Sequence, residues 1–309
     1  MVRVLVTGAF GYVGHAVTRA LLECGHEIVA MTTQSGRPQA SDRVKVIVAD
    51  VRVPEQLKKA VDGVDAVAHL AALTRVRESF DQPDEYAMVN AAGTENLLAA
   101  VADTGRVMPF IHASTAAVYG TPEKQPIGED CEPAPTSPYG LTKLAADDAV
   151  RDAASRGIVA GVSLRAFNIA GAVDQRPDPD LTRIIPKAVA VAAGRFDSVT
   201  VNGDGTAIRD YVHLADLADA FARAIGAAKP GKFEVYNIGA TPASVAQIID
   251  MTRAITGQEI PTRHNPPAPE APELRADTTR ARAELGWIPV RSSLEQIISD
   301  AWAAEQSAS

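Results

Sequence analysis

The sequence predicts an α/β protein with a doubly wound parallel sheet in its N-terminal part and a smaller C-terminal lobe. Through the first 170 residues, short apolar runs alternate with longer segments of helical spacing. These runs lack polar alternation, which is typical of parallel strands buried on both faces. A glycine-rich turn joins the first run to the first helical segment, as in sheets that bind ligands at their carboxyl edge.

Local patterns predict the elements of the N-terminal part in order. Apolar runs of strand length predict six strands, at 3–6, 26–31, 44–50, 65–72, 106–114 and 158–168. Helical spacing that ends at a glycine predicts four helices, at 15–25, 54–63, 85–105 and 138–157. Strands that alternate with helices in this way are joined by crossovers and lie parallel.

The pattern changes after Gly171, where the Pro- and Asp-rich segment 171–180 predicts a loop. The later elements are less regular. We predict helices at 182–193, 214–227 and 243–256, strands at 198–201 and 234–239, and a last helix from Ser293. The chain is therefore divided into a first domain at 1–170 and a lobe at 171–309, with segments near 207–240 returning to the first domain.

Composition narrows the classes of function. The chain has 309 residues, with 30 basic and 38 acidic side chains, a formal net charge of −8 and no basic cluster, so a nucleic-acid partner is not expected. No apolar run has the length of a membrane span, and the first residues predict a strand and a turn instead of a leader. Cys24 and Cys131 are distant and form no CxxC pair, which favours reduced thiols in a cytoplasmic protein without a metal site.

Three glycines, Gly8, Gly11 and Gly14, lie between the first predicted strand and the first predicted helix. Glycines there allow a tight turn and let a pyrophosphate approach the helix N-terminus, where backbone N–H groups point outward. Their position in a strand–turn–helix unit favours a Rossmann-type dinucleotide site over an ordinary turn.

The adenosine side of that site is predicted from the ends of the next two strands. Dinucleotide-binding proteins often place an acid after the second strand for the ribose 2′-hydroxyl, but Thr32 stands there. Arg37 follows and could meet a 2′-phosphate, so NAD and NADP both remain open. Asp50 and Val51, at the end of the third strand, are placed to meet an adenine, and a turn cap is the alternative for Asp50.

The stretch SPYGLTK, residues 137–143, predicts a proton-transfer site. Ser137 and Pro138 are typical of a helix start, which puts Tyr139 and Lys143 on one helix face at i and i+4. A nearby ammonium and a cationic nicotinamide would lower the tyrosine pKa from about 10. Such a phenol can take a proton from an alcohol near neutral pH. A solvated helix face is the alternative interpretation.

Two hydroxyl groups, of Ser114 and Thr115, end the fifth predicted strand. They lie at the edge of the sheet where ligands bind, so either can share a hydrogen bond with the substrate oxygen that Tyr139 deprotonates. Capping of the strand end is the alternative. The glycine turn, the strand-end hydroxyl and the Y-x-x-x-K pair occur in this order along the chain. Their combination is more specific than any one of them alone.

Sequence blocks over nearly the whole chain, from residue 2 to about residue 302, resemble those of extended short-chain dehydrogenases/reductases. Within that family they resemble nucleotide-sugar epimerases of the UDP-glucose 4-epimerase type. The blocks are VTGAFGYVG, HLAAL, NAAGTENLL, STAAVYG, SPYGLTK, LRAFNIAG, RDYVHLADLADA, VYNIG and ADTTRARAELGW.

The resemblance implies roles for individual residues. The first domain would bind a dinucleotide, expected to be NAD, through the glycines, Asp50 and Val51, together with Ala71, Ala72 and Asn90. Thr115, Tyr139 and Lys143 would be catalytic. In the substrate-binding lobe and at its border, Asn168 would hold the substrate and Arg209 its diphosphate.

The resemblance also implies a reaction. Tyr139 would take the proton from the sugar 4-hydroxyl while C4 is oxidised to a ketone, and the ketone would be reduced again on its other face. Ala116 and Ala117 stand where related dehydratases and decarboxylases carry a second acid or base, which favours an epimerase. A homodimer formed by the helices near 85–104 and 138–156 is implied as well.

The chain departs from the family pattern at the substrate. Pro267 stands where a second diphosphate-binding arginine is usual, although Glu270 keeps the acid of that motif. Arg183 stands where an asparagine is usual, and Arg183 or Arg263 is the candidate replacement for the missing arginine. Together with Thr32, these departures leave open a second reading, an NADPH-dependent reductase of a 4-keto-sugar or another carbonyl. A third reading is a non-catalytic dinucleotide-binding protein.

Overall fold

The computed structural model describes residues 1–36, 42–267 and 271–308, and a parallel sheet lies at its centre. Its strands are β1 (Arg3–Thr7), β2 (Glu27–Thr32), β3 (Val44–Val48), β4 (Ala66–His69), β5 (Met108–Thr115), β6 (Val159–Ala166), β7 (Asn168–Ala170), β8 (Val199–Asn202), β9 (Ile208–His213), β10 (Phe233–Ile238), β11 (Thr241–Ser244), β12 (Thr262–Asn265) and β13 (Glu273–Leu274). Seven of them form the central sheet in the order β10-β6-β5-β4-β1-β2-β3, with every pair parallel. This order confirms the predicted doubly wound, Rossmann-type fold.

Helices connect the strands and cover both faces of the sheet. They are α1 (Tyr12–Glu23), α2 (Pro54–Ala60), α3 (Glu78–Asp81), α4 (Pro83–Tyr86), α5 (Gly93–Asp103), α6 (Pro138–Ser155), α7 (Ile184–Ala192), α8 (Leu214–Ala227), α9 (Val245–Thr256), α10 (Thr279–Leu285) and α11 (Leu294–Ala308). The predicted helix at 214–227 coincides with α8. Most other predicted ends differ by a few residues, since helix ends fray and their boundaries are weakly encoded.

Alternate residues of the central strands face two helical layers. From β1, Val6 packs with Phe221 of α8 on one face, while Leu5 packs with Leu97 of α5 on the other. All four side chains are fully buried. Burial on both faces is the physical reason for the continuous apolar runs, because each large apolar side chain contributes roughly 1.5–3 kcal/mol when buried.

The strand order reverses between β1 and β4, where Thr7 and His69 are neighbours in register. Ligands of doubly wound sheets bind in the crevice outside the carboxyl ends of the strands at such a reversal. The glycine turn after β1 and the loop after β4 therefore border the expected cofactor site.

A smaller lobe follows the central strands along the chain. Strands β7, β9, β11 and β13 form a second sheet, and β8 pairs with β12. Helices α7, α9 and α11 enclose a separate core that includes Ile185, Ile248 and Ile298. Strand β10 joins the large sheet and α8 packs against it, whereas β9 lies in the smaller sheet.

The helix predicted at 85–105 is the main difference in secondary structure. The structure has the short helix α4, then a π-helical turn at Ala87–Ala92, and only then α5. The π turn contains Asn90, whose side-chain amide bonds to both backbone groups of Leu73. A single extra residue in a helical turn does not disturb the apolar periodicity enough to be predicted, and such turns are frequent at functional sites.

The described ranges contain neither a membrane-spanning helix nor a cluster of metal ligands. None of their helices combines the length and apolar character needed to cross a membrane. None of their His, Cys, Asp and Glu side chains gather in groups of three or more that could hold a metal ion.

Candidate active site

The glycine turn between β1 and α1 is closely packed at Gly8 and Gly14. Gly8 has φ of +67°, and a Cβ there would lie 3.0 Å from the backbone nitrogen of Ala71. A Cβ on Gly14 would lie 2.0 Å from the carbonyl oxygen of Gly8, which itself accepts a hydrogen bond from the Gly11 nitrogen at 2.9 Å. No side chain caps the first turn of α1. Its backbone N–H groups therefore suit the pyrophosphate of a dinucleotide.

Buried hydrogen bonds fix this turn to the neighbouring strand and helix. Thr7 Oγ1 accepts from the backbone nitrogens of Leu70 and Ala71, both at 3.0 Å, and lies 2.8 Å from His69 Nδ1. His69 Nε2 lies 2.9 Å from Thr94 Oγ1, which donates to the Asn90 carbonyl. Burial lowers the pKa of His69 to about 3, so the ring is neutral and its network implies a proton on Nε2.

Thr32, which ends β2, and Asp50 and Val51, which follow β3, are the residues predicted to meet the adenosine. The Thr32 hydroxyl accepts a hydrogen bond from the Gln34 nitrogen, and Val51 is buried. Asp50 forms an ion pair of 2.7 Å with Arg52 and accepts from its backbone nitrogen, which is the turn-cap alternative. Hydrogen bonds from Arg52 lower the pKa of Asp50. Arg37 lies outside the described residues.

The side chain of Asn90 holds the loop after β4. The Asn90 side chain is 1% exposed and also donates to Thr142 Oγ1 of α6 at 3.1 Å. Its amide thus bonds to α6 and to both backbone groups of Leu73, next to Ala71 and Ala72. These hydrogen bonds of Asn90 hold the loop, which borders the expected cofactor site.

Helix α6 begins as the sequence predicts. Ser137 Oγ accepts from the Gly140 nitrogen at 3.1 Å, and Pro138 occupies the first turn. Tyr139 then points into the protein beside Tyr86, whose ring meets it edge-on at 6.4 Å. A solvated helix face is therefore excluded for Tyr139.

The direction of the Tyr139 pKa differs from the prediction. Burial, the largest cause, raises the pKa of this phenol, while a hydrogen bond with Thr115 and the charge of Arg183 lower it. Desolvation disfavours the phenolate more than these groups favour it. The prediction considered an ammonium one helical turn away and a cationic nicotinamide, and it left out the cost of burying the phenol.

Lys143 lies one turn further along α6 and is 2% exposed. Burial lowers the pKa of its ammonium from 10.5 to about 8, against the attraction of Asp147, which raises it. The group is therefore mostly charged at neutral pH and loses its proton under mildly alkaline conditions.

Behind this pair lies a buried ionic cluster that the sequence analysis missed. Asp147 is fully buried and accepts from Ser114 Oγ and from Arg165 Nε, both at 3.0 Å. Ser114 therefore bonds to Asp147, and Thr115 is the strand-end hydroxyl that reaches Tyr139. Two signals were available: Asp147 follows Lys143 at i+4, and Arg165 interrupts an otherwise apolar strand.

The predicted substrate residues lie on the smaller lobe or at its border. Asn168 Nδ2 donates to the Asp210 carbonyl at 3.0 Å, and Arg209 Nη1 donates to the Ala271 carbonyl at 2.9 Å. Arg183, just before α7, pairs with Asp178 at 3.0 Å. A second contact, of 3.5 Å, joins Arg183 to Asp180, and the Arg183 charge reaches both Tyr139 and Tyr12.

The family's second diphosphate motif is only partly described. Pro267 lies against Gly203: a Cβ added to Gly203 would lie 3.6 Å from the Cα of Pro267. Glu270 lies outside the described residues. Arg263 is an exposed residue of β12. Of the two candidate replacements, Arg183 is the one whose charge acts on Tyr139.

Comparisons with known proteins agree with this arrangement. Residues 4–239 match the model of the NAD dependent epimerase/dehydratase family. A UDP-glucose 4-epimerase of Corynebacterium glutamicum is 36% identical over 97% of this chain and 95% of its own length. The solved UDP-glucose 4-epimerase of Brucella ovis, in complex with NAD, has a TM-score of 0.91 and 33% identity over 98% of both chains. That of Stenotrophomonas maltophila, with bound NAD and formylated UDP-arabinopyranose, has a TM-score of 0.92 and 29% identity over 100% of this chain and 99% of its own.

Proposed function

The chain belongs to the NAD dependent epimerase/dehydratase family, and we propose that within it the protein is a nucleotide-sugar 4-epimerase that retains NAD between turnovers. The observation that carries the proposal is the buried Tyr139, whose pKa is lowered by the Thr115 hydroxyl and which lies one helical turn from a buried Lys143. Relatives of nearly full length that are UDP-glucose 4-epimerases support it.

The residues present fit a dinucleotide. The turn at Gly8, Gly11 and Gly14 is tight and leaves no room for a Cβ at Gly14, and the first turn of α1 has no side-chain cap, so the pyrophosphate would rest there. Thr32, Asp50 and Val51 would border the adenosine, and Lys143 would hold the nicotinamide ribose. Bound NAD supplies a reversible acceptor for the hydrogen at the sugar C4 and its electron pair.

Tyr139 is the proposed acid and base. As a phenolate it would take the proton of the sugar 4-hydroxyl, and it would return that proton to the 4-keto oxygen after the sugar presents its other face. Thr115 would donate a hydrogen bond to the same sugar oxygen. Because burial raises the pKa of the phenol, Lys143, Arg183 and the positive nicotinamide must together favour the phenolate when the site is filled.

Two arginines are proposed to bind the diphosphate of the nucleotide sugar. Arg209 is the family's position, and a guanidinium presents several donors in a plane that suits phosphate oxygens. Arg183 is the proposed replacement for the arginine that Pro267 displaces, because its charge already reaches the catalytic tyrosine. Asn168 and Glu270 are each proposed to contact the substrate.

We also propose a homodimer in the cytoplasm. Met88, Leu141 and Phe80 are more than half exposed and lie on the π turn, α6 and α3, beside the helices expected to pair with a second copy. Large apolar side chains grouped on one surface are typical of an interface. Residues 1–170, with returning segments near 207–240, are proposed as the dinucleotide domain and the rest of 171–309 as the substrate lobe.

The reductase reading is not favoured. It rested on Thr32 and on the altered motif at Pro267, yet the relatives named above are 4-epimerases and their solved structures contain NAD. A reductase would consume a reduced cofactor in every turnover, whereas an epimerase returns its cofactor unchanged.

The test is an incubation of the purified protein with UDP-sugars in the absence of added cofactor, followed by proton NMR of the C4 configuration. We expect a C4 epimer from the native protein and a loss of about 10²–10⁴-fold in Tyr139→Phe. Tyr236→Phe is the matched control, since its hydroxyl bonds to Glu284 and borders no part of the site. Full activity in Tyr139→Phe would overturn the mechanism.

A further inference from the structure

Polar side chains from three elements meet in the core directly behind Lys143. Asp147 comes from α6, His112 and Ser114 from β5, and Arg165 from β6. All four are buried, and the proposed reaction uses none of them. A buried ionic cluster costs free energy to desolvate, so its position beside a catalytic lysine requires an explanation.

Asp147 is the centre of this cluster. Its Oδ2 accepts from Ser114 and Arg165, whereas its Oδ1 has no hydrogen-bond partner among the described residues and lies 3.8 Å from His112 Nε2. The guanidinium of Arg165 also stacks on the ring of Tyr119 at 4.8 Å. The carboxylate is therefore held in one orientation, with one oxygen left for interactions at longer range.

The Asp147 carboxylate is the negative group nearest to two buried cations. Lys143 is one helical turn away on the same face of α6, and Arg165 is in contact, so one negative group serves two buried cations. The other titratable groups around Lys143 are neutral: burial lowers the pKa of His69 on β4 and His112 on β5. Burial raises the pKa of Tyr139, which is therefore an uncharged phenol, and the charge of Arg183 also acts on it.

We propose that Asp147 is a positioning residue whose carboxylate keeps Lys143 in its charged form, with Ser114 and Arg165 holding the carboxylate in place. A charged Lys143 can donate to the nicotinamide ribose and favour the Tyr139 phenolate, whereas a neutral amine does neither well. This inference rests on the proposed function for the role of Lys143. Asp147 would thereby set the pH above which the protein loses its cofactor, without touching either cofactor or substrate.

A purely structural ion pair between Asp147 and Arg165 is the competing explanation. It predicts that loss of Asp147 lowers stability at every pH and leaves the pH dependence of the site unchanged. The proposal predicts a change in that pH dependence, because a buried ammonium without its counter-charge loses its proton more readily. The two explanations are therefore separated by a pH profile.

The experiment measures how long bound NAD stays on the protein, by rapid desalting and quantification of the nucleotide, between about pH 6 and 10. For the native protein we expect retention to decline as Lys143 loses its proton, near pH 8. In Asp147→Asn the decline should move to lower pH by about one unit or more. Ser163→Ala, which removes a buried hydroxyl on β6 and keeps every charge, should show the native profile.

An Asp147→Asn protein that folds and keeps the native alkaline limb would overturn the proposal. If that variant does not fold, Asp147→Asn/Arg165→Gln removes both charges and avoids an unpaired buried guanidinium. A smaller shift in the same direction is then expected, because the lost guanidinium partly offsets the lost carboxylate. Asp147→Glu keeps the charge and should restore the native limb; a shifted limb there would count against the charge-based account. Retention needs no sugar, so this result is independent of whether the protein epimerises the UDP-sugars tested.

Discussion

Replacing Lys143 by methionine is expected to remove activity and yet stabilise the fold at neutral pH. Lys143 is buried, and its pKa falls from the ordinary 10.5 to about 8. At about 1.4 kcal/mol per pKa unit, holding its charge in the folded protein costs roughly 3 kcal/mol. Methionine has a similar length and fills apolar gaps without a charge, so most of that cost is removed.

The sign of the pH dependence follows from the two pKa values. Below pH 8 the lysine is protonated in both the folded and the unfolded chain, and the full cost applies. Between pH 8 and 10.5 folding releases a proton, so native stability gains as pH rises. The advantage of Lys143→Met should therefore be largest at pH 7 and fall to about 1 kcal/mol near pH 9.5.

The assay is reversible denaturation of the native protein and Lys143→Met at pH 7 and pH 9.5. For a chain of this size, about 2–3 kcal/mol corresponds to a rise in Tm of roughly 3–5 °C. Lys59→Met, an exposed lysine of α2, is the matched control and should show no pH-dependent change. A Lys143→Met protein that is less stable at pH 7, or equally favoured at both pH values, would refute the reasoning.

Two further predictions concern the cofactor and the diphosphate. Gly14→Ala should abolish NAD binding, because its Cβ would lie 2.0 Å from the Gly8 carbonyl oxygen, while Gly226→Ala has open space in α8 and should add up to about 1 kcal/mol of stability. Calorimetry and NAD content measure both, and NAD bound normally by Gly14→Ala would contradict the turn's role. Arg183→Ala should raise KM for a nucleotide-diphosphate sugar by about 10-fold or more, as expected for a lost charge-assisted hydrogen bond of roughly 1.5–3 kcal/mol, whereas Arg263→Ala should leave it unchanged. Equal effects of the two arginine variants would remove Arg183 from the proposed site.

The large sheet was predictable because its strands are buried on both faces. Leu5 and Val6 must both be apolar because helices cover both faces of β1. The result is a run of consecutive apolar residues, whereas a half-exposed strand alternates apolar and polar residues. The start of α6 was predictable for a local reason, since the Ser137 side chain caps the helix within three residues. Both features depend on neighbours in sequence or on simple burial.

The features that were missed depend on contacts between distant segments. The π turn follows from Asn90 bonding to Leu73, 17 residues away, and the short strands β7, β11 and β13 are too brief for any periodicity. The raised Tyr139 pKa follows from desolvation, which sequence spacing does not reveal. Asp147 is the instructive case, because it lies on helix α6 while its partner Arg165 lies on strand β6, and only the fold brings them together.

The most direct test of the central claim follows a deuterium atom placed at C4 of a UDP-sugar that the protein accepts. If oxidation and reduction at C4 occur on one retained NAD, the epimer formed without added cofactor keeps the deuterium at C4, and it forms more slowly than the unlabelled epimer. An epimer that has lost its deuterium to solvent, or net accumulation of a 4-keto sugar or of reduced cofactor, would contradict the account.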